Sequence, residues 1–522
     1  MVRFVKKLNW LITQGIFLSI VAALASVLSF AKEAIFANYF GVSEIADAYT
    51  VAIQIPEILF AVIWEAIHAI VVPLYTEKIS KEGKRNANKF ISTFFTIISL
   101  ICILFVIFGE IFTNTIVSLF SPGLSSEAHV LATELMRWVL PTLIFEGVIR
   151  VCTGVLNVYQ QFIVPKLLTV IRNVGIIVFL IFFANKFGVY AAIFGVLCGI
   201  VIECGLCYFT MLKKEKFKIR LDLKDPMLKK AGYMLFPLVV GIGINEINQI
   251  ADKFIASLLD AGSISSLNYA SKLSSIIQVV MFSNIVTVFY PVFSNIAAEG
   301  NKKQLSQTFV KVLRLVILLC VPIIFGGVFL KNEIVSLAFE RGSFHHQAVY
   351  LVATLFSIYL ITTLFTSINN VSVKLFASCC DTKTAAINSS IGVVINIFLN
   401  IVLSKYMGVI GLTLATLISS IFVSINSLIL VRKKIYKFKI SLLFSLFCKS
   451  IISAFVMLFV LIIIKSILFS GIVFSTITKI GYCLLCIIIG AIIYAVTLII
   501  FRVDELQFFY SKLKKILHLK NN

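Results

Sequence analysis

The sequence predicts an all-α protein that crosses a membrane many times, and three observations support this prediction. Of the 522 residues, 60% are hydrophobic and only 13% are charged, and the mean hydropathy is +1.04. A soluble chain usually carries about a quarter of charged residues, so this chain cannot hide its apolar surface in a water-soluble core. Its apolar runs reach the roughly 20 residues of a spanning helix, and the alternating polarity of a transmembrane β-barrel is absent.

Polar breaks divide the chain into fourteen apolar segments, each long enough to cross a hydrocarbon core of about 30 Å. The first segment follows Arg3, Lys6 and Lys7. No small-residue cleavage site follows a short apolar core there, so this segment is interpreted as an uncleaved first span. In chain order, predicted spans 1 to 14 cover residues 10–38, 46–76, 90–118, 128–158, 162–185, 188–211, 230–258, 264–296, 305–330, 345–376, 383–404, 408–431, 446–468 and 474–501.

The basic residues predict the orientation of these spans. They collect in alternate loops, whereas the other loops, such as 121–128, 259–263 and 470–475, carry little or no basic charge. Cytoplasmic loops are enriched in Lys and Arg, so all basic loops and both termini are expected on the cytoplasmic side. Besides the N-terminus, the basic regions contain Lys78, Lys81, Lys84, Arg85 and Lys89; Lys213, Lys214, Lys216, Lys218, Arg220, Lys224, Lys229 and Lys230; Lys302 and Lys303; Arg432, Lys433, Lys434, Lys437 and Lys439; and Lys512, Lys514 and Lys515.

Composition and motifs exclude several function classes. The formal net charge is +22, but the basic residues lie in short loops and not on a folded basic domain, so nucleic acid is not an expected partner. Basic loops attract anionic lipid headgroups, so membrane lipids are expected partners. The sequence contains no Gly-rich phosphate loop, no HExxH and no carboxylate-rich soluble loop, so an enzyme is not expected.

The 11 cysteines predict neither disulfides nor a metal site. Most lie inside apolar runs, where a free cysteine packs as a small apolar residue. Two CxxC pairs occur, at Cys204 and Cys207 and at Cys483 and Cys486. Neither pair has a turn signal or a second ligand pair nearby, so zinc is not expected.

A weak internal repeat predicts two lobes of the same orientation. The segments that begin at Gly188 and Gly408 both open with Gly-Val, continue as one apolar helix and end in Lys-Lys, and 408 − 188 = 220. Pro73 and Pro291 lie 291 − 73 = 218 apart, each before a basic amphipathic stretch. Parallel repeats of this kind are a transporter design, with the site between the lobes. The predicted domains are a six-helix lobe at 1–220, a second at 221–440, and two further helices with a basic tail at 441–522.

Charged residues inside predicted spans are the candidate functional residues, because such residues usually face a water-filled cavity or a partner charge. Most belong to the first lobe or to spans 7 and 8, which suggests a polar cavity lined mainly by the first lobe. The candidates are Lys32, Glu33, Glu57, Glu65, His68, Arg137, Glu146, Arg150, Glu246, Asp252, Lys253 and Lys272, with Asp47 at the start of span 2.

Structural explanations compete with functional ones at several of these positions. Lys32 either lines a cavity or lies at the outer boundary, since 22 residues from Trp10 already cross about 30 Å. Arg137 and Arg150 are interpreted as interface or packing charges. Glu65 and Lys272 lie well inside their spans, so a structural explanation suits them less well.

A second candidate cluster consists of oxygen-bearing side chains. Asn396 and Asn400 lie on one face of a helix, and Thr416 is in the next span. With Asp252 they would form an all-oxygen site for a hard cation. Hydrogen bonding between helices is the alternative, and spacing alone favours that alternative.

Four stretches together resemble the MurJ/MviN family of lipid II flippases, within the multidrug/oligosaccharidyl-lipid/polysaccharide exporter superfamily. In the first, FAKEAIFANYFGVSEIADAYTVAIQIPEIL, the pair Lys32-Glu33 corresponds to a family Arg-Asp pair. Phe-Gly, Asp-Ala-Tyr and Pro-Glu follow, similar to the family's Phe-Gly, Asp-Ala-Phe and Pro-Asn. The others are SISSLNYASKL at 263–273, FERGSF at 339–344 and CCDTKT at 379–384.

The resemblance implies two six-helix lobes around a V-shaped cavity, plus two C-terminal helices that form a groove for a lipid tail. It implies a substrate, undecaprenyl-pyrophosphate-linked disaccharide-pentapeptide, which moves from the inner to the outer leaflet of a bacterial cytoplasmic membrane. Peptidoglycan synthesis proteins are expected as further partners.

The resemblance also assigns roles to residues. The family's pyrophosphate-binding arginines correspond to Lys32 and Lys272, whereas two further arginine positions are Phe60 and Ser26. Lysine keeps the charge but loses the bidentate fork that suits phosphate. The family's sodium site corresponds to Asp252, Asn396, Asn400 and Thr416. Either sodium binding there or the membrane potential would then bias the inward–outward equilibrium, and no other cofactor is expected.

The sequence therefore predicts an alternating-access flippase for a lipid-linked cell-wall precursor. Lys32 and Lys272 would attract the pyrophosphate, and Glu33, Asp47 and Glu65 would orient or balance those cations. A flippase for another undecaprenyl-linked glycan, such as a capsule, exopolysaccharide or teichoic-acid unit, stays open because two arginines are missing. Weaker alternatives are a cation-coupled drug exporter, a polyprenyl-lipid enzyme and a non-transporting scaffold.

Overall fold

The computed structural model describes residues 2–214, 219–279, 284–468 and 475–505. At some of these positions, chiefly within 2–19 and 236–245, it describes the backbone alone. Within these ranges the protein is all-helical, as predicted. The predicted loop at 470–475, the centre of predicted span 8 and most of the basic tail lie outside the described residues.

The helices are α1 (Val2–Phe40), α2 (Glu44–Phe120), α3 (Ser126–Val139), α4 (Thr142–Val158), α5 (Ile163–Phe187), α6 (Tyr190–Leu212), α7 (Pro226–Ser257), α8 (Ser263–Gln278), α9 (Asn284–Ala298), α10 (Lys302–Phe329), α11 (Lys331–Phe339), α12 (His346–Ser378), α13 (Thr382–Lys434), α14 (Ile440–Leu468) and α15 (Thr476–Ile500). Nine of the described helices are long and apolar enough to cross a membrane, and the bent pair α3–α4 would be a tenth. Because α2 and α13 each cover two predicted spans, these ten correspond to twelve predicted spans, and α7 and α8 with α9 lie at predicted spans 7 and 8. The described helices are therefore consistent with fourteen spans, although the count itself stays a prediction.

Glycines divide the two longest helices. The φ and ψ angles are 79° and 167° at Gly83 in α2, and 54° and −136° at Gly408 in α13. Gly188, which ends α5, has almost the same angles as Gly408, with φ 55° and ψ −137°. Only glycine adopts such backbone angles without strain. The two glycines that open the predicted repeat therefore also share a backbone conformation.

Two differences from the predicted spans have simple causes. Predicted span 4 is bent by 42° between α3 and α4. Pro141 lies at this bend and lacks the N–H group that a continuous helix needs. The short helix α11 was not predicted, because its nine residues are too few for a span and carry Lys331 and Glu333.

The chain forms two compact units, and each is described by itself. The first unit contains residues 1–268 and 341–345, and the second contains 269–340 and 346–522. In the second unit α10, α12, α14 and α15 share one apolar core, which includes Phe309, Leu375, Leu461 and Leu498. The domain boundaries at 220 and 440, drawn from the repeat, stay a prediction.

Candidate functional site

Lys32 and Glu33 form an ion pair inside α1. The Lys32 Nζ atom lies 2.8 Å from Glu33 Oε1, and the two side chains are 18% and 6% exposed. Because α1 continues through Phe40, these charges lie within the helix and do not mark its end. The Glu57 carboxylate on α2 is close enough to attract Lys32 electrostatically. The first unit therefore holds a lysine with two nearby carboxylates, and its predicted role in substrate binding stays a prediction.

A chain of amides extends from this ion pair. Asn268 Nδ2 donates a 3.5 Å hydrogen bond to Glu33 Oε2, and Gln54 Nε2 donates a 3.0 Å bond to Asn268 Oδ1. The rings of Phe36 and Tyr49 stack beside it, with centroids 4.3 Å apart, and fix α1 against α2. Sequence analysis did not identify Gln54 and Asn268, because an uncharged amide has no strong signal in a hydropathy pattern.

Asp47 caps a helix from a distant part of the chain. Its carboxylate accepts bonds of 2.7 Å from the backbone N–H groups of Gly262 and Ser265, at the start of α8. The first N–H groups of a helix have no partner inside that helix, so a buried carboxylate there satisfies them. This contact gives Asp47 a clear structural role, and a role in balancing substrate-binding cations stays a prediction.

The segment 341–345 packs against the turn between α1 and α2. The backbone N–H of Ser343 donates a 2.8 Å bond to the Asn38 carbonyl. A Cβ atom on Gly41 would lie 2.3 Å from the Ser343 carbonyl oxygen, and Gly41 has φ +58°. A Cβ atom on Gly342, which has φ +53°, would likewise lie 2.3 Å from the Asn38 carbonyl oxygen. The glycines of the Phe40-Gly41 and FERGSF motifs thus allow two backbones to touch.

A four-charge network connects α4, α5 and α6. Arg172 Nη2 lies 2.6 Å from Glu146 Oε1 and 2.5 Å from Glu203 Oε2, while Arg172 Nε donates a 3.1 Å bond to Glu203 Oε1. Arg150 Nε approaches Glu146 Oε2 at 3.4 Å. The candidate list included Glu146 and Arg150 but missed Arg172 and Glu203, although both lie inside predicted spans.

Glu65 lies on an accessible face of α2. Its side chain is exposed, and His68, one turn further on, is half-buried. Asn157 Nδ2 on α4 donates a 3.2 Å bond to His68 Nε2. An exposed carboxylate within a spanning helix does not face hydrocarbon, so this side of α2 faces water or a polar ligand.

The second unit contains Lys272 and three of the four predicted sodium ligands, Asn396, Asn400 and Thr416. Lys272 on α8 is half-buried, and no described residue pairs with its ammonium group. In α13, Asn400 Nδ2 donates a 2.9 Å bond to Asn396 Oδ1, and Asn396 Nδ2 donates a 3.4 Å bond to Thr416 Oγ1. Asn396 therefore contacts two of the other predicted sodium ligands, Asn400 and Thr416, whereas Asp252 belongs to the first unit.

These features define the class of protein. A polytopic helical chain with paired charges inside its spanning helices is typical of membrane transporters. The sequence model of the family described as Lipid II flippase MurJ matches residues 36–482, and the chain belongs to this family. Membership of a flippase family agrees with the prediction that the chain is a transporter and not an enzyme.

Comparisons with individual proteins agree. The chain is 24% identical over 449 residues to the "Probable lipid II flippase MurJ" of Rickettsia prowazekii, covering 85% of this chain and 88% of the relative. A solved structure of "Lipid II flippase MurJ, inward closed conformation" has a TM-score of 0.80 and 26% identity, covering 93% of this chain and 98% of that one. An inward-facing multidrug resistance MATE family transporter of the MOP superfamily has a TM-score of 0.62 at 15% identity, covering 80% and 94% of the two chains, which shows a shared fold.

Proposed function

We propose that this protein is a flippase that moves lipid II, the undecaprenyl-pyrophosphate-linked peptidoglycan precursor, from the inner to the outer leaflet by alternating access. Membership of the MurJ family carries the proposal, and the likeness to a transporter of the MOP superfamily supports the transport mode. The protein would act in a bacterial cytoplasmic membrane with both termini in the cytoplasm, as the basic loops predict.

Lys32 and Lys272 would attract the pyrophosphate of the substrate. A lysine ammonium is a point charge with three donors, so Lys32 can keep its bond to Glu33 and still donate to a phosphate oxygen. In the low-polarity surroundings of a spanning helix, Glu33 also balances the lysine charge when substrate is absent. The absence of a described partner for Lys272 leaves its donors available.

A sodium ion is the proposed coupling ion. The side-chain oxygens of Asn396, Asn400 and Thr416 in the second unit are ligands that suit a hard cation. The bond from Asn396 to Thr416 also joins the two halves of α13, and the bond from Asn400 to Asn396 lies within its first half, so ion binding needs its own test.

A flippase for another undecaprenyl-linked glycan is the second candidate, and two observations favour it. Phe60, at a position where the family has an arginine, is buried and packs on Trp64 and Phe105, with ring centroids 5.7 and 5.2 Å away. Ser26, at another such position, donates a bond to the Ala22 carbonyl of its own helix. Neither residue provides the cation found in relatives, so a headgroup with different anionic groups remains a real alternative.

Depletion and complementation test the proposal. In cells depleted of this protein, lipid II should be inaccessible in the outer leaflet, and the wild-type gene should restore access. Lys32→Ala and Lys272→Ala should fail to restore growth although the protein is present in the membrane, whereas Lys32→Arg should succeed. If lipid II still reaches the outer leaflet normally after depletion, the protein does not transport lipid II, and a different undecaprenyl-linked glycan becomes the proposed substrate.

A further inference from the structure

The accessible face of α2 continues onto α4 within the first unit. Glu65 and His68 lie on α2, and Asn157 on α4 contacts His68 directly. Arg150, two turns before Asn157 on α4, is close enough to interact electrostatically with His68. Four polar side chains from two spanning helices therefore form one surface that does not suit hydrocarbon.

Arg150 holds unused hydrogen-bonding capacity on this surface. Its side chain is 36% exposed, and its Nε atom lies 3.4 Å from Glu146 Oε2 without forming a hydrogen bond. A guanidinium group has five N–H donors in a planar fork, and no described residue accepts from the two terminal nitrogens of Arg150. Sequence analysis favoured a packing charge, whereas the structure gives an accessible guanidinium.

The neighbouring network explains why Arg150 is not needed to satisfy the buried carboxylates. Arg172 already contacts both Glu146 and Glu203 at hydrogen-bonding distance. Arg150 brings the total charge of these four residues to zero, but its two terminal nitrogens have no acceptor among the residues that the structure describes. A guanidinium whose charge is balanced by nearby carboxylates, and whose terminal N–H groups are accessible, is suited to bind an oxyanion.

We propose that Arg150, with His68 and Asn157 beside it, forms an oxyanion subsite on the first unit for an anionic group of the transported lipid headgroup. The inference rests on the proposed function. The group bound is a phosphate of the pyrophosphate or a carboxylate of the attached peptide.

Binding measurements on the full-length protein in nanodiscs test this subsite. The probes are lipid II, which carries phosphates and peptide carboxylates, and undecaprenyl pyrophosphate, which carries only phosphates. Arg150→Gln should weaken lipid II binding about 10- to 100-fold, the effect of losing hydrogen bonds to a charged group. Arg150→Lys should lie in between and should preserve the charge balance of the network. Arg137→Gln, which removes an exposed arginine from α3, should leave binding unchanged.

The two probes identify the source of the oxyanion. An equal loss for both probes supports a phosphate contact, whereas a loss for lipid II alone supports a peptide carboxylate. Unchanged binding of both probes to folded Arg150→Gln protein would overturn the subsite and leave the proposed function intact. If the wild-type protein binds neither probe, the proposed function fails and the subsite fails with it.

Discussion

The carboxylate of Asp47 bonds to the backbone N–H of Ser265 at 2.7 Å, across 218 residues of sequence. Together with the bond from Gly262, this contact joins the start of α2 to the start of α8 inside the first unit. The aspartate of the Asp-Ala-Tyr motif at 47–49 thus caps α8 and not its own helix, α2. The sequence around the motif does not reveal this contact. Loss of the carboxylate would leave two buried backbone donors without an acceptor.

Substitutions of Asp47 should loosen the start of α8 in proportion to the acceptors removed. Asp47→Ala removes both bonds and should destabilise this turn by about 1–2 kcal/mol, whereas Asp47→Asn keeps one carbonyl acceptor and should cost less. Amide hydrogen exchange should accelerate at 262–266 in the order wild type, Asn, Ala. Ser125→Ala removes the cap of α3 and a bond to the Glu44 carboxylate, so it should accelerate exchange at 126–129 and leave exchange at 262–266 unchanged. Equal exchange at 262–266 in wild type and Asp47→Ala would contradict the cap.

Gly41 should tolerate alanine less well than Gly188 does. Both have positive φ angles, +58° and +55°, so alanine strains the backbone at both positions by about 1–3 kcal/mol. A Cβ atom on Gly41 also meets the Ser343 carbonyl oxygen at 2.3 Å, whereas nothing lies within 4 Å at Gly188. Gly41→Ala should therefore displace 341–345 and speed trypsin cleavage after Arg341. Similar cleavage rates and unfolding temperatures for both variants would show that the close contact has no importance.

These two sites illustrate what the sequence could predict. The apolar runs and basic loops predicted the all-α membrane class and most helix positions, because a spanning helix has to match the bilayer in length and polarity. The FERGSF and Phe40-Gly41 motifs were recognised, but their contact was not. Hydropathy and spacing indicate which residues share one helix face, but not which faces meet in the folded protein.

The charged residues inside the membrane show the same limit. Lys32 and Glu33 were identified because charges stand out in apolar runs, and their pairing followed from adjacency. The pair formed by Arg172 and Glu203 requires α5 to lie against α6, and only the fold supplies that information. The terminal N–H groups of Arg150 are accessible because Arg172 already contacts Glu146 and Glu203. Sequence analysis could not show this, so it interpreted Arg150 as a packing charge.

Asn400→Asp tests the sodium proposal in the second unit. Asn400 Nδ2 donates to Asn396, so a carboxylate in its place loses that bond and adds a negative charge beside the candidate ligands. Sodium should then raise the unfolding temperature of Asn400→Asp more than that of the wild type, relative to potassium. Asn388→Asp, at a buried asparagine of the same helix that bonds to Ser427, should show no sodium-specific gain. An identical sodium response in wild type and Asn400→Asp would argue against a cation at this place.

Glu340, between α11 and α12, should make the second unit sensitive to acid. Burial alone would raise the pKa of this carboxyl, but hydrogen bonds from Ser336, His346 and Lys479 outweigh it and hold the pKa below its usual range. The distances to His346 Nδ1 and Lys479 Nζ are 2.6 and 3.3 Å. A lowered folded-state pKa means that the stabilisation is complete above the usual glutamate pKa and is lost as pH falls through the lowered value.

Glu340→Gln should therefore be less stable than the wild type at pH 7, by about 1 kcal/mol for a partly exposed group, and the difference should shrink towards pH 3. Thermal unfolding in detergent between pH 7 and pH 3 measures this difference. Glu299→Gln, at an exposed glutamate between α9 and α10, is the matched control and should follow the wild-type curve throughout. A constant difference between Glu340→Gln and wild type at all pH values would mean that the Glu340 charge does not stabilise the contact with α15.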